Sequence, residues 1–472
     1  MNSSVVVTGA KDQQGEERYD KLSIAGVAVA FVLFALFKLS TPLQHDVAWL
    51  LDAGGRWAAG ERLYVDFEDL NPPLVFYPYG ALSAGLWTKS AFTVGMLGFT
   101  LINALWCARL AGPRWGAATL AIAIVLGVCE LGQRDHLAAT VLLPYLFADR
   151  ARASERMLIG AWCFLGFGLK PFFLLIVAAA TLGRMLQQRS WRSVFAPENL
   201  AIGGLGVIYA GLSYTAYPAL FSEMLPLARL LHFNYGASFL QHPSDLIVTT
   251  LMLVVALAQI RDRDAWPAVG ALLGGIACYL IQAHYWTYQL LPAFSAGLFL
   301  LTRLTIDNSR AFALSLVVFL VLAGQLWNQH YWSRDPIPGT ATTVLIMSSQ
   351  VSAAYPWVVE HGVENASPYA ALSGVAAAVA ILDSSRESPE RRHAARQFLG
   401  DARRKLRLRI AEQCPDPILA DARRRKPYFR KRFDFMRFLS PDGELPGYRK
   451  VGTAGMYAVY RRSSPCAAGL PQ

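Results

Sequence analysis

The sequence predicts an all-α polytopic membrane bundle of about eleven transmembrane helices, followed by a small C-terminal extracytoplasmic α/β domain. Three observations carry this expectation. Of 472 residues, 54% are hydrophobic and only 16% charged, against ~25% charged in soluble domains. The apolar residues gather into blocks of about 12 to 20, such as 24–39, 200–217 and 311–327, which suits helices crossing lipid and lacks the period-two alternation of a barrel strand. Beyond residue 327 the pattern changes to a strand, a charged helix and a hairpin.

Residues 1–21 are polar and read as a cytoplasmic tail. The first apolar block has no small-residue cleavage site after it, so it reads as a retained helix. The module then runs over 22–327, with a first extracytoplasmic loop at 40–91. Counting every apolar block as one crossing scatters the arginines over both faces, against the cytoplasmic bias of Lys and Arg. Two adjustments restore the bias. Segment 73–88 opens on Pro72-Pro73 and contains Pro78, so it reads as a half-inserted helix that does not cross; segment 157–184 is broken at Lys170-Pro171 and reads as two short spans. The spans are then 22–39, 92–111, 115–129, 137–148, 157–169, 171–184, 200–217, 246–260, 266–283, 286–302 and 311–327.

Residues 328–472 are expected outside the membrane: a strand at 344–347, a charged helix at 388–414 and a hairpin at 448–460 around Gly452 and Gly455. Block 371–382 is too short to span. The net charge of +11 sits between apolar blocks and in the tail with no basic-aromatic binding module, which favours membrane lipid headgroups over nucleic acid. Of six cysteines, four lie in or beside apolar segments, leaving Cys414 and Cys466 as a pair.

On the far side of the membrane this topology collects the unusual polar residues. The loop from His45-Asp46 to Gly60 has helical apolar spacing at Val47, Leu50, Leu51, Gly54 and Trp57, an interfacial helix with Asp46 at its start. Capping that helix and serving as a chemical base are both open to Asp46. Glu61, Tyr64, Asp66, Glu68 and Asp69 follow, before Asn71-Pro72-Pro73; in a generic loop a solvated turn explains such a run better than a ligand site does, yet acidic groups bracket the same interfacial helix. Glu130, Gln133, Arg134, Asp135 and His136 lie between two short spans, where ionisable groups are expensive and point to function over a mere structural pair. Lys170 stands at a helix break, a place that favours a ligand contact over snorkelling. His284, Tyr285, Trp286 and Tyr288 form the third far-side turn, mostly an aromatic belt, with His284 a weaker functional candidate. Cations facing an acidic loop at the lipid boundary suit a reaction that develops an anion there.

These residues resemble the GT-C superfamily of polyprenyl-phosphate-sugar-dependent glycosyltransferases, in the branch of protein mannosyltransferases and lipid A aminoarabinose transferase. The resemblance rests on His45-Asp46 after the first span, Gly60-Glu-Arg-Leu-Tyr64-Val-Asp66, Asn71-Pro72-Pro73-Leu74, Gln133-Arg134-Asp135-His136, Leu169-Lys170-Pro171 and Tyr288-Gln-Leu-Leu-Pro292, and covers residues 20–300. It implies an inverting transfer of a sugar from a polyprenyl-phosphate donor to an acceptor hydroxyl of a glycan, lipid or protein. Asp46 would be the general base, Arg134, His136 and Lys170 would hold the donor phosphate, and Gln133, Asp135, Tyr64, His284 and Tyr288 would contact substrate. Glu68 and Asp69 would hold a divalent metal such as Mg or Mn, if one is used. The implied location is a bacterial inner membrane with the site facing the periplasm. A transporter or flippase of lipid-linked sugars is the alternative, but it should carry ionisable groups at the midplane or on both faces.

Overall fold

The computed structural model describes residues 5–83, 88–231, 243–327, 341–426, 428–429 and 431–464, with side chains described from Tyr19 onward and not for 320–327. The helices, in chain order, are α1 (Val5–Ser40), α2 (His45–Ala58), α3 (Phe76–Leu82), α4 (Thr88–Ala111), α5 (Pro113–Glu130), α6 (Arg134–Leu146), α7 (Ala153–Phe167), α8 (Leu174–Gln188) and α9 (Pro197–Ala216). They continue with α10 (Leu225–Leu231), α11 (Pro243–Ala258), α12 (Trp266–Gln282), α13 (Leu291–Thr305), α14 (Ser309–Trp327), α15 (Trp357–Glu360), α16 (Ser373–Asp383), α17 (Pro389–Gln413) and α18 (Phe435–Leu439). The strands are β1 (Thr343–Met347), β2 (Glu364–Asn365), β3 (Ile418–Asp421), β4 (Tyr448–Ala454) and β5 (Tyr457–Arg462).

Two compact units divide the chain: a bundle unit of residues 1–41, 90–212 and 237–330, and a second unit of 42–89, 213–236 and 331–472. The first loop, which the sequence places with the bundle, thus clusters with the C-terminal region.

Most of each predicted span is helical, with turns at several span ends. Among the described residues, five helical segments are by themselves long and apolar enough to cross a bilayer: Tyr19–Ser40, Thr88–Ala111, Pro113–Glu130, Pro171–Gln188 and Arg263–Gln282. The bent pair Pro197–Ala216 and Leu220–Leu231 would make a sixth. The polar tail is helical from Val5 and continues into α1. Every residue of α6 is buried, as is nearly all of α5. The outer helices turn Leu105, Val207, Leu212 and Leu257 outward, with Val207 75% exposed. Apolar side chains displayed all round a charged-poor bundle need lipid as solvent, and the protein is an integral membrane protein. Close helix approaches rely on small residues, as in other membrane bundles. A Cβ on Gly270 of α12 would fall 2.1 Å from the Ala179 carbonyl of α8, and one on Gly183 of α8 would fall 2.2 Å from that of Trp266.

The second unit is built on a five-stranded sheet of order β2-β1-β3-β5-β4. β1 runs parallel to β2 and β3, while β5 is antiparallel to β3 and β4, as expected for a crossover followed by a hairpin. α16 and α17 make the crossover from β1 to β3, and Ala402, Leu406 and Ile410 of α17 pack on Leu345, Met347, Ile418 and Ala420. The predicted strand, charged helix and hairpin are all present. α2 differs from expectation in its surroundings: its apolar stripe does not lie open for the bilayer, because Val47, Leu50, Leu51 and Gly54 are buried. α3 crosses it so closely that a Cβ on Gly54 would meet the Gly80 nitrogen at 2.5 Å.

Candidate active site

Three turns at one end of the bundle unit meet around a lysine. α5 ends at Glu130, and α6 begins at Arg134 with Gln133 as its N-cap, whose side-chain oxygen accepts from the Asp135 nitrogen at 2.6 Å. α7 ends at Phe167, and Lys170 stands in extended conformation before Pro171, which cannot continue a helix. α12 ends at Gln282. The Lys170 Nζ donates to Asp135 Oδ2 at 2.5 Å and to Gln282 Oε1 at 3.1 Å, and lies over the rings of Phe173 (5.4 Å) and Tyr288 (5.5 Å). Asp135 and Gln133 are fully buried. Burying a charge is tolerable only when it is paired, and here the carboxylate and two aromatic faces compensate the ammonium. Among the described residues, Asp135 Oδ1 and Gln133 Nε2 have no hydrogen-bond partner, leaving one acceptor and one amide donor for a ligand.

The structure thus brings Asp135, Lys170 and Tyr288 together, with Gln133 and Arg134 on the same turn. His284 is buried two residues beyond Gln282, its Nδ1 2.7 Å from the Gln282 carbonyl and its ring against Trp286. His136 is less favourably placed for a ligand: it is buried, its Nδ1 accepts from Gly132 N at 3.5 Å and its Nε2 faces the Ala123 carbonyl at 3.4 Å. Gly132 at φ 80° closes this turn against Phe92, where a Cβ would fall 2.4 Å from the ring. Sequence reasoning missed Gln282 and Phe173 as partners of Lys170. It also missed Lys38, a buried lysine at the end of α1 that donates to the Val128 carbonyl at 3.2 Å; a lysine at a span end reads as an ordinary anchor.

In the second unit, Asp46 sits in the first turn of α2, its side chain 18% exposed and 3.5 Å from His45 Nε2. It is not the cap: Gln44 takes that role through its side-chain oxygen, which accepts from Val47 N at 3.0 Å. The exposed Tyr428 lies near Asp46, and burial together with that carboxylate pushes the phenol above its ordinary pKa. On the same helix, burial drives Asp52 up to about 6, against the opposing pull of Arg56 and of the Tyr355 hydroxyl, which donates to it at 2.8 Å.

Tyr64 is buried with its hydroxyl on the Asn71 carbonyl at 2.5 Å and its ring against Phe76 and Tyr217, so it braces the loop. The expected metal pair does not form. Glu68 is bound by Lys405 of α17, while Asp69 accepts from the Trp49 indole and, at 2.6 Å, from both nitrogens of Asn71. Glu61 likewise pairs with Arg56 at 2.8 Å and Arg409 at 3.1 Å. Among the described residues no three His, Cys, Asp or Glu side chains converge as metal ligands. A hard divalent cation needs several oxygen donors at once, and these carboxylates are each taken up by cations or N–H groups; the residues present do not fit a metal.

The cysteines follow expectation as far as they are described. Cys107, Cys129, Cys163 and Cys278 are free and Cys414 is disulfide-bonded, while Cys466 lies outside the described residues.

No protein-family model matches the chain, and no curated protein matches it in sequence. Among solved structures it is similar to the crystal structure of ArnT from Cupriavidus metallidurans bound to undecaprenyl phosphate, with a TM-score of 0.53 and 13% identity. The similarity covers 95% of this chain and 100% of that one. The fold is the ArnT fold. The likeness to that fold extends over nearly the whole chain, including the C-terminal region that the motifs did not cover.

Proposed function

We propose that this protein is an inverting glycosyltransferase that moves a sugar from a polyprenyl-phosphate donor to an acceptor hydroxyl on the extracytoplasmic face of a bacterial inner membrane. The observation that carries this reading is the Lys170 group, an ammonium held by Asp135, Gln282 and two aromatic rings inside an apolar bundle of the ArnT fold. A cation at membrane level suits a lipid-linked phosphate. In the proposed reaction, Asp46 accepts the acceptor's hydroxyl proton as that oxygen bonds to the anomeric carbon. The bond from that carbon to the phosphate oxygen breaks on the opposite side, and polyprenyl phosphate leaves with both electrons. Lys170 and Arg134 balance the charge left on the phosphate, the unused Gln133 amide N–H donates to it, and His136 orients the turn. His284 and Tyr288 contact the sugar. No metal step is needed, because cationic side chains supply the charge.

The reading includes about eleven crossings, which place the C-terminal residues outside. That Gln44 caps α2 supports a chemical role for Asp46, since the competing explanation of that carboxylate is removed.

The test uses purified protein in liposomes with a panel of polyprenyl-phosphate sugars and an envelope extract, following free polyprenyl phosphate by mass spectrometry. Release by the parent, with loss of about a hundredfold or more in Asp46→Asn and Lys170→Met, is expected. Equal release by parent and Asp46→Asn removes Asp46 from the reaction; no release from any donor turns the assignment toward a transporter.

A further inference from the structure

Within the second unit, a cavity of about 390 Å³ opens between the turn after α2 and the bend that follows α9. Trp57, Gly60, Glu61, Arg62, Leu63 and Val65 form one wall and residues 216–219 the other. Its volume is in the range of small-ligand sites. Its chemistry is unusual for a loop crevice. The Trp57 ring stands edge-on to Tyr77 at 4.9 Å, the Tyr77 and Tyr217 hydroxyls meet at 2.9 Å, and Tyr217 in turn packs edge-on against Tyr64 at 5.9 Å. Tyr77 is 38% exposed and Trp57 and Tyr217 are half-buried. Glu61 and the largely exposed Arg62 add a carboxylate and a guanidinium, each already oriented by an ion pair, to Arg56 and to Asp66.

We infer that this cleft is a binding subsite for a hexose ring of a glycan, and, resting on the transfer proposed above, that the acceptor is a glycan. A sugar has an apolar C–H face and a rim of hydroxyls. Rings of Trp and Tyr match the first, while carboxylate, guanidinium and phenol groups match the second, and their rigidity keeps the ordering cost low. A membrane-interface belt is a poorer account of these aromatics, because belt residues point singly outward, whereas here the rings pack on one another beside a concave, charged-rimmed space. Tyr214 and Phe221 in the neighbouring segment, by contrast, are exposed aromatics outside the cleft.

The experiment is saturation-transfer NMR on the full chain in nanodiscs, with two probes: free N,N′-diacetylchitobiose, and the same disaccharide on a dioleoyl lipid. Ring-proton signals are expected from at least one probe, reduced at least fivefold in Tyr217→Ala and in Glu61→Gln, with undecaprenyl phosphate binding within twofold of the parent. Should Tyr217→Ala misfold, Tyr217→Phe keeps the ring and loses the hydroxyl pair, and a twofold or greater loss is then expected. Signals from the lipid-linked probe alone support a membrane-anchored glycan, and signals from both support a soluble one. Signals that survive all three substitutions, or none from either probe with the parent, overturn the subsite. The transfer reading fails separately: chitobiose bound at the cleft with no polyprenyl phosphate released leaves the subsite standing, whereas transfer with an unchanged acceptor KM in Tyr217→Ala removes it.

Discussion

Lys170, in the break between α7 and α8, and Asp135, in the first turn of α6, lie 35 residues apart and meet at 2.5 Å with the carboxylate fully buried. Such a pair is asymmetric in its consequences. Replacing one partner strands the other charge in an apolar surrounding, at about 3–5 kcal/mol, while replacing both with packed apolar groups is close to neutral. Lys170→Met is therefore expected to lower the unfolding midpoint in detergent more than the double variant Lys170→Met/Asp135→Leu does. The double variant should stay as inactive in polyprenyl phosphate release as the single one. Recovery of activity with stability would remove Lys170 from phosphate binding.

The engagement of Glu68 by Lys405 and of Asp69 by Trp49 and Asn71 predicts that chelation leaves the reaction alone. With 5 mM EDTA, the rate of polyprenyl phosphate release is expected to change less than twofold. Loss of the reaction and its return on adding Mg or Mn would show that the loop rearranges to free these carboxylates.

Asp52 gives the second unit a pH signature. Burial raises its folded pKa from 3.8 to about 6, so between those values the folded state keeps a proton that the unfolded state releases. Stability therefore falls as pH rises through this window, by about 3 kcal/mol in total, and stays lower above it. Asp52→Asn can still accept from Tyr355 and is expected to flatten this slope, stabilising the protein at pH 8 and leaving it little changed at pH 4. The unfolding midpoint across pH 4 to 8 for both proteins checks this; parallel profiles would mean that Asp52 ionises without penalty.

Gly270 and Gly183 allow α8 and α12 to touch, and these are the helices that follow Lys170 and end at Gln282. Gly270→Ala forces them apart, with an overpacking cost of about 1–3 kcal/mol. The same displacement should loosen the Lys170–Gln282 bond, weakening undecaprenyl phosphate binding several-fold. Gly203→Ala, where nothing lies within 4 Å of the new methyl, is the control and should behave as the parent. Equal binding by both variants would show that the helix spacing does not reach the lysine.

The bundle was readable because apolar blocks, the arginine bias and the Lys170-Pro171 break are local signals with direct physical causes. The same holds for the hairpin at Gly452 and Gly455 and for the charged helix, whose start is marked by Ser388 and Pro389. β2 and β3 escaped notice: β2 is two residues long, and β3 is a four-residue strand beginning just after Pro417. At the candidate site, residue types were legible and partners were not. An acidic run before a double proline looks the same whether it faces a metal or a lysine 337 positions later. Lys405 and Arg409 carried no local mark beyond belonging to a basic helix. Gln282 belonged to a turn whose aromatics drew attention first, although it is the residue that reaches Lys170.

The grip of α17 on the first loop imposes an order on biosynthesis. Glu61 and Glu68 leave the ribosome early, and Lys405 and Arg409 follow more than 300 residues later. Throughout that interval, among the described residues, Glu61 has only Arg56 as a partner and Glu68 waits for Lys405. A chain ending before α17 would lack the Lys405 and Arg409 contacts to the first loop, so the last quarter of the protein braces a loop made in the first.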